Sequence, residues 1–303
     1  MQRSHKILLN LDLSELDASL MQYASYLSEH LDIREMVLVH NMLISEPPEE
    51  LLSLYPELDE PLENIVRREI EENLDHYFSK PDFRVEIRVF KNEKMDDVIR
   101  WVGQQEVDIS LVGKKKEAEG QGWYSRQFTR FTSHSVILVP PLPNYSIRNI
   151  LAAVDFSKNA VNVIRSAHEL AMDADANLSY LHLYAYPPKY FPYIPQNMDK
   201  YRAEYMRYAK KEFENWKKKS IGQKETGTCH FQLSDRQDIA RELYLWAVKH
   251  RADLIVCGAK GKSDTEMLLL GSVSEKLIHT DYNIPLMVVK RKENYSWLES
   301  LLS

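Results

Sequence analysis

The sequence predicts an α/β chain of two tandem domains, each a doubly wound, five-stranded parallel sheet. Three observations carry that expectation. The chain repeats itself once, at a period of about 143 to 150 residues. Within each repeat, short apolar runs alternate with helical stripes. The length of 303 residues is natural for two domains of roughly 150 residues each. A repeat this long means duplicated domains and not a solenoid.

The repeat can be followed residue by residue. KILLNLDLSELD near the start answers ILAAVDFSKN near the middle, so Asp12 corresponds to Asp155 and Ser14 to Ser157. The next strand of each half ends in a histidine, His40 and His182. VDISLVGK then answers ADLIVCGAK, which sets Gly113 against Gly258, and the halves close on VILV and LMVV. In the first half, strands are expected over residues 6–11, 36–40, 84–90, 107–112 and 136–139. Leu16, Leu20, Ala24, Leu27 and Leu31 mark one helix between them, and Leu62, Val66, Ile70, Leu74 and Phe78 another. In the second half the stripes are Val161, Ile164, His168 and Ala171, then Tyr201, Tyr205, Tyr208, Glu212 and Trp216, then Ile239, Leu243, Ala247 and His250. Near-continuous apolar strands separated by helices belong to parallel sheets covered on both faces. Such sheets take ligands at the carboxyl ends of their strands.

PPLPNY at residues 140–145 cannot continue a central strand, because proline lacks the ladder donor. The domains are therefore placed at 1–143 and 144–292, with 293–303 as a tail whose Trp297, Leu298, Leu301 and Leu302 suit a short docked helix.

Composition narrows the class. With 44% hydrophobic and 28% charged residues, the chain can bury a sizeable core. A net charge of −6 gives no reason to expect nucleic acid. No apolar run approaches the ~18 residues of a spanning helix. The start of the chain reads as a first strand and not a signal peptide. Cys229 and Cys257, the two cysteines, read as reduced thiols of a cytoplasmic protein. His182 reads as a packed or hydrogen-bonded core residue.

Function concentrates in residues 253–274, DLIVCGAKGKSDTEMLLLGSVS. A buried strand runs into Gly258-x-x-Gly261, a polar loop follows, and Gly271-Ser272 opens a helix. Glycines let the backbone approach a ligand, and the first N–H groups of a helix point outward unpaired, so the pattern suits an anion. Lys260 and Lys262 can neutralise part of its charge. Two other nucleotide motifs are excluded: a Walker loop ending at Gly261-Lys262-Ser263 would need glycine where Val256 stands, and no GxGxxG follows a strand.

Asp155 at the end of a first strand, with Gly258-x2-Gly261-x9-Gly271-Ser272 and the following GSVSEKLI, resembles the ATP-binding signature of the universal stress protein family. The resemblance covers nearly the whole chain as two such Rossmann-like domains. It implies that Ala153, Val154, Asp155 and Leu183 line the adenine end of a site. It implies Cys257, Gly258, Ala259, Lys260, Gly261 and Lys262 beside the ribose and first phosphates. Gly271, Ser272, Val273 and Ser274 would meet the outer phosphates. The ligand would be ATP with magnesium. Family members pair through their last strands, so LMVV and VILV could form an internal pseudo-dimer; association of two chains is left open.

The first half departs from the signature. It keeps Asp12 and Gly113, has Lys116 where the second glycine should be, runs about five residues shorter in the loop and shows no Gly-Ser at the helix start. Its net charge is −10, against +4 for the remainder from Ser146. One competent ATP site, in the second domain, is therefore expected. No catalytic triad, paired carboxylates or metal-ligand spacing such as CxxC or HExxH appears. The expected role is nucleotide-dependent stress response or signalling through an unidentified protein partner. The alternatives are an adaptor that needs no nucleotide, working through surfaces such as residues 185–197, and a slow ATP hydrolase.

Overall fold

A computed structural model describes residues 4–42, 60–79, 81–115, 122–184, 198–220, 227–234, 238–260, 270–280 and 283–290. The chain divides into two compact units, the first running to Tyr145 and the second starting at Ser146.

In the first unit, β1 (His5–Leu11) is buried along all seven residues, as a strand covered on both faces must be. It lies between β2 (Ile33–Met42) and β4 (Ile109–Gly113), with β3 (Arg84–Lys91) outside β2 and β5 (Ser135–Val139) outside β4. The order is β3-β2-β1-β4-β5, and every pair is parallel. The helices are α1 (Leu16–His30), α2 (Leu62–Tyr77), α3 (Met95–Gln104) and α4 (Gly122–Phe131). Helix α1 buries Leu16, Leu20, Ala24 and Leu27 on one face, the spacing that predicts it. It stops where Leu31 turns extended and its N–H bonds the Leu27 carbonyl. The prolyl connector is tied to this helix, since Ser19 Oγ donates to the Pro141 carbonyl and Tyr145 donates to Ser19 Oγ at 3.3 Å.

The second unit repeats the plan. It contains β6 (Asn149–Ala153), α5 (Ala160–Asp173), β7 (Asn177–Tyr184), α6 (Met198–Ser220), β8 (Thr228–Leu233), α7 (Ile239–Lys249), β9 (Leu254–Gly258), α8 (Ser272–His279) and β10 (Leu286–Val289). Its order is β10-β9-β6-β7-β8, again all parallel. The duplication extends to single hydrogen bonds. Asp108 Oδ2 accepts the Lys6 N–H at 2.9 Å, while Asp253 Oδ2 accepts those of Arg148 and Asn149 at 3.0 and 2.9 Å. In each unit a carboxylate at the foot of the fourth strand thus fastens the foot of the first.

Two readings of the sequence need correction. The helical stripes of the first half do not include α3 and α4, although α3 buries Val98 and Val102 at helical spacing. On α6 the marked stripe leaves the core face at Tyr208. Ala209 and Phe213 are buried, whereas Tyr208 is 60% exposed and bonds Glu212 at 3.2 Å on the surface. Aromatic residues spaced along a helix mark a face, but an i, i+4 partner in water competes with the core for it. Among the described residues no helix is long and apolar enough to cross a membrane.

Candidate functional site

In a doubly wound sheet the ligand crevice forms where the winding reverses. In the second unit that is between β6 and β9, where Ala152 lies opposite Val256. The turn after β6, carrying Asp155, and the turn after β9, carrying Gly258, therefore emerge side by side at the carboxyl edge. The first unit places Asp12 and Gly113 equivalently, after β1 and β4.

The two first turns share one backbone. Leu13 and Phe156 are both left-handed, at φ 57° and 58°. A side chain in that region costs of order 1–3 kcal/mol and persists only where neighbours hold it. Asp12 Oδ1 accepts the Ser14 N–H at 3.1 Å, and Asp155 Oδ1 accepts the Ser157 N–H at 3.0 Å. The serines then accept from the helix start, Ser14 Oγ from Leu16 and Ser157 Oγ from Ala160. His40 donates Nδ1–H to the Leu11 carbonyl at 3.1 Å, and His182 donates to that of Val154 at 2.8 Å. His182 is thus a buried, hydrogen-bonded residue.

What holds each turn differs. In the first unit the Asp17 carboxylate accepts the N–H groups of Asp12 and Leu13, the shorter contact at 2.7 Å. Lys115 Nζ lies 2.6 Å from Asp12 Oδ2, with its side chain 8% exposed. Asp17 and Ala160 are equivalent, because the 143-residue offset that relates Asp12 to Asp155 also relates the helix ends His30 and Asp173. The second unit therefore has alanine where the first has this carboxylate. Among the described residues Asp155 has no ion-pair partner, and its carboxylate accepts only from Ser157. Lys260, the counterpart of Lys115, makes no pair with it. Burial and the adjacent Asp12 push the Asp17 carboxyl up to about 7, against the opposing pull of the two N–H groups and Lys115.

The second turns are also alike. Lys114 N–H bonds the Val139 carbonyl at 2.7 Å, as Ala259 N–H bonds that of Val289 at 2.9 Å. A Cβ on Gly258 would lie 3.1 Å from the Lys260 carbonyl oxygen and 3.2 Å from Val163, so the tight turn favours glycine. Gly271 N–H bonds the Ala259 carbonyl at 2.6 Å, which sets the N-terminus of α8 over this turn. Among the described residues no side-chain hydrogen bond caps α8, so its first N–H groups are available under the positive end of the helix dipole.

The expected site residues separate into three sets. Ala153, Val154, Asp155, Leu183, Gly258, Ala259, Lys260, Gly271, Ser272 and Val273 lie at strand ends, turns and a helix start on one edge of one sheet. Cys257 and Ser274 lie there too, but their side chains are occupied. Ser274 Oγ donates to the Gly258 carbonyl at 2.5 Å and accepts a contact from Cys257 Sγ at 3.5 Å. Burial pushes the Cys257 thiol up to about 11. These two can offer a ligand backbone only. Gly261 and Lys262 lie outside the described residues.

The same serine latch exposes an equivalence that the sequence hides. Ser125 Oγ donates to the Gly113 carbonyl at 2.7 Å, matching Ser274. Gly122 therefore answers Gly271, and Trp123, 54% exposed, stands where the second unit has Ser272. The helix-start glycine is kept in the first unit and only the serine is lost. The loop before it spans nine positions against thirteen, four shorter and not five.

A model of the universal stress protein family matches residues 146–290. A universal stress protein of Methanocaldococcus jannaschii is 46% identical over 52 residues, which are 17% of this chain and 30% of that relative's length. The solved structure of a universal stress protein from Archaeoglobus fulgidus is 16% identical, with a TM-score of 0.61 over 95% of this chain and 97% of that one. A functionally unknown protein of Pseudomonas aeruginosa is also 16% identical, with a TM-score of 0.65 over 99% and 97% of the two chains. At these identities the structural likeness is one of fold. The second half of the chain, residues 146–290, is thus a domain of the universal stress protein family.

Proposed function

We propose that the second domain binds ATP with magnesium at the carboxyl edge of β6 and β9, and that the protein is a nucleotide-dependent stress-response or signalling module. One observation carries the reading. Two copies of the same turn end in an aspartate; Lys115 and Asp17 occupy the first, while the second leaves the Asp155 carboxylate without a charged partner among the described residues.

In this reading Asp155 accepts a hydrogen bond from the base or ribose, with the backbone of Ala153, Val154 and Leu183 alongside. The Gly258–Lys260 turn and the N–H groups of Ser272, Val273 and Ser274 face the phosphates, helped by the helix dipole. Gly261 and Lys262 join them on the strength of the signature alone. Among the described residues no cluster of three or more His, Cys, Asp or Glu could hold a metal, so magnesium would arrive on the triphosphate. The first domain is a structural companion whose corner is closed by its own ion pair.

Thermal denaturation with ATP and magnesium tests this. A ligand at 100 times its Kd adds about 2.7 kcal/mol to the native state. For a domain of this size that raises Tm by roughly 5–10 °C. Wild type and Asp12→Ala are expected to show the rise, and Asp155→Ala to lose most of it. No rise in wild type at millimolar ATP would favour the nucleotide-independent adaptor. A rise lost in Asp12→Ala and kept in Asp155→Ala would put the site in the wrong domain.

A further inference from the structure

The Asp155 turn is clamped from one side by a helix that is not part of the proposed site. The Phe156 ring stacks on His182, with centroids 3.9 Å apart and planes 22° from parallel. Phe213 and Trp216 of α6 close over the same ring, with centroids at 5.6 and 5.7 Å. Trp216 Nε1 donates to the Ser157 carbonyl at 3.2 Å. Phe231 of β8 completes the cluster, edge-on to both His182 and Phe213. Each neighbour of Asp155 is thereby fixed: the Val154 carbonyl by His182, the Phe156 ring by the stack and the Ser157 carbonyl by the indole.

The first unit shows that this clamp is not a requirement of the turn. There Leu13, with the same left-handed backbone as Phe156, is 40% exposed, and the Asp17 carboxylate holds the peptide N–H groups. The clamp in the second unit performs the same task from the carbonyl and ring side. It leaves the N–H side and the carboxylate to a ligand.

We propose that Trp216 is a positioning residue: through the Ser157 carbonyl and the Phe156 ring it holds the Asp155 carboxylate in the orientation that receives the adenosine end of the nucleotide. The inference rests on the proposed nucleotide site and adds to it a residue on α6, outside the family signature. An indole–carbonyl bond of this kind affects an equilibrium by roughly three- to tenfold. Because it acts on Asp155, that factor is the same for adenosine as for ATP and disappears when Asp155 is absent.

A double-mutant cycle reads this out. Trp216→Phe keeps the aromatic packing and removes the donor; Phe156→Leu instead removes the stack and writes in the residue that the first unit uses at this turn. Affinities for ATP and adenosine are measured by titration calorimetry for each variant, alone and with Asp155→Ala. Each single change is expected to weaken both ligands by a similar factor, and to add less than about 1.5-fold once Asp155 is gone. If Asp155→Ala weakens binding but Trp216→Phe does not, or weakens it equally in both backgrounds, the positioning role is overturned and the site stands. If Asp155→Ala leaves affinity unchanged, the site itself is misplaced.

Discussion

Ala160→Asp is expected to weaken ATP binding by about tenfold. The change copies into the second domain the device that holds the first-domain turn, where Asp17 accepts the N–H groups of Asp12 and Leu13. The new carboxylate would fill the N–H side of the Asp155 turn and add a negative charge to a site that takes a polyanion. Two like charges about 8 Å apart cost about 2 kcal/mol at an effective dielectric of 20. Screening by solvent at the rim of the site reduces that to about tenfold in affinity. Ala160→Asn, which can accept the same N–H groups without the charge, is expected to lose much less. Titration calorimetry distinguishes them; an Ala160→Asp protein that binds within threefold of wild type would contradict the equivalence of the two turns.

The second large effect is on stability and belongs to the first domain. Its Asp17 carboxyl is raised to about 7 by burial and by Asp12. The folded state therefore holds this proton more tightly than the unfolded chain does. The stabilisation is fully present below the unfolded value near 4 and is lost as pH rises through 7. A rise of this size sets an upper bound of about 4 kcal/mol; partial exposure brings the expected loss between pH 5 and 7.5 to about 1–2 kcal/mol. Urea denaturation should show wild type losing stability relative to Asp17→Asn across that window. Parallel pH profiles for the two proteins would show that Asp17 does not titrate there.

Much of the architecture is legible in the sequence because it depends on patterns that a sequence states directly. The seven buried residues of β1 form an apolar run interrupted only by Lys6 and Asn10 after His5, and α1 buries the stripe its spacing marks. The offset from Asp12 to Asp155 is a count, and the structure keeps it from one end of the helix to the other. The α6 face is only partly legible, because Tyr208 and Glu212 satisfy helical spacing as well as Ala209 and Phe213 do. Only the packing against β8 and the Phe156 turn decides between them.

The site is legible in outline and not in detail. Glycines and an aspartate announce turns and a helix start, but a residue's type does not say whether its side chain is already engaged. Cys257 and Ser274 are among the expected site residues and yet face each other. Gly122 is hard to recognise because Trp123 replaces the serine that completes the pattern, although Ser125 keeps the latch. The pairing of Lys115 with Asp12 joins residues more than a hundred positions apart, and nothing in the spacing of GKKK distinguishes that lysine from its neighbours. Trp216 reaches Ser157 across 59 positions, and in the sequence it is only one member of a stripe.

The central claim is that duplication left one open nucleotide corner and one closed by its own side chains. Titration calorimetry of ATP with magnesium against the full chain tests it most directly. A stoichiometry near one per chain is predicted, with affinity unchanged in Asp12→Ala and clearly weakened in Asp155→Ala. Two sites per chain, or one site whose affinity Asp155→Ala leaves unchanged, would contradict it.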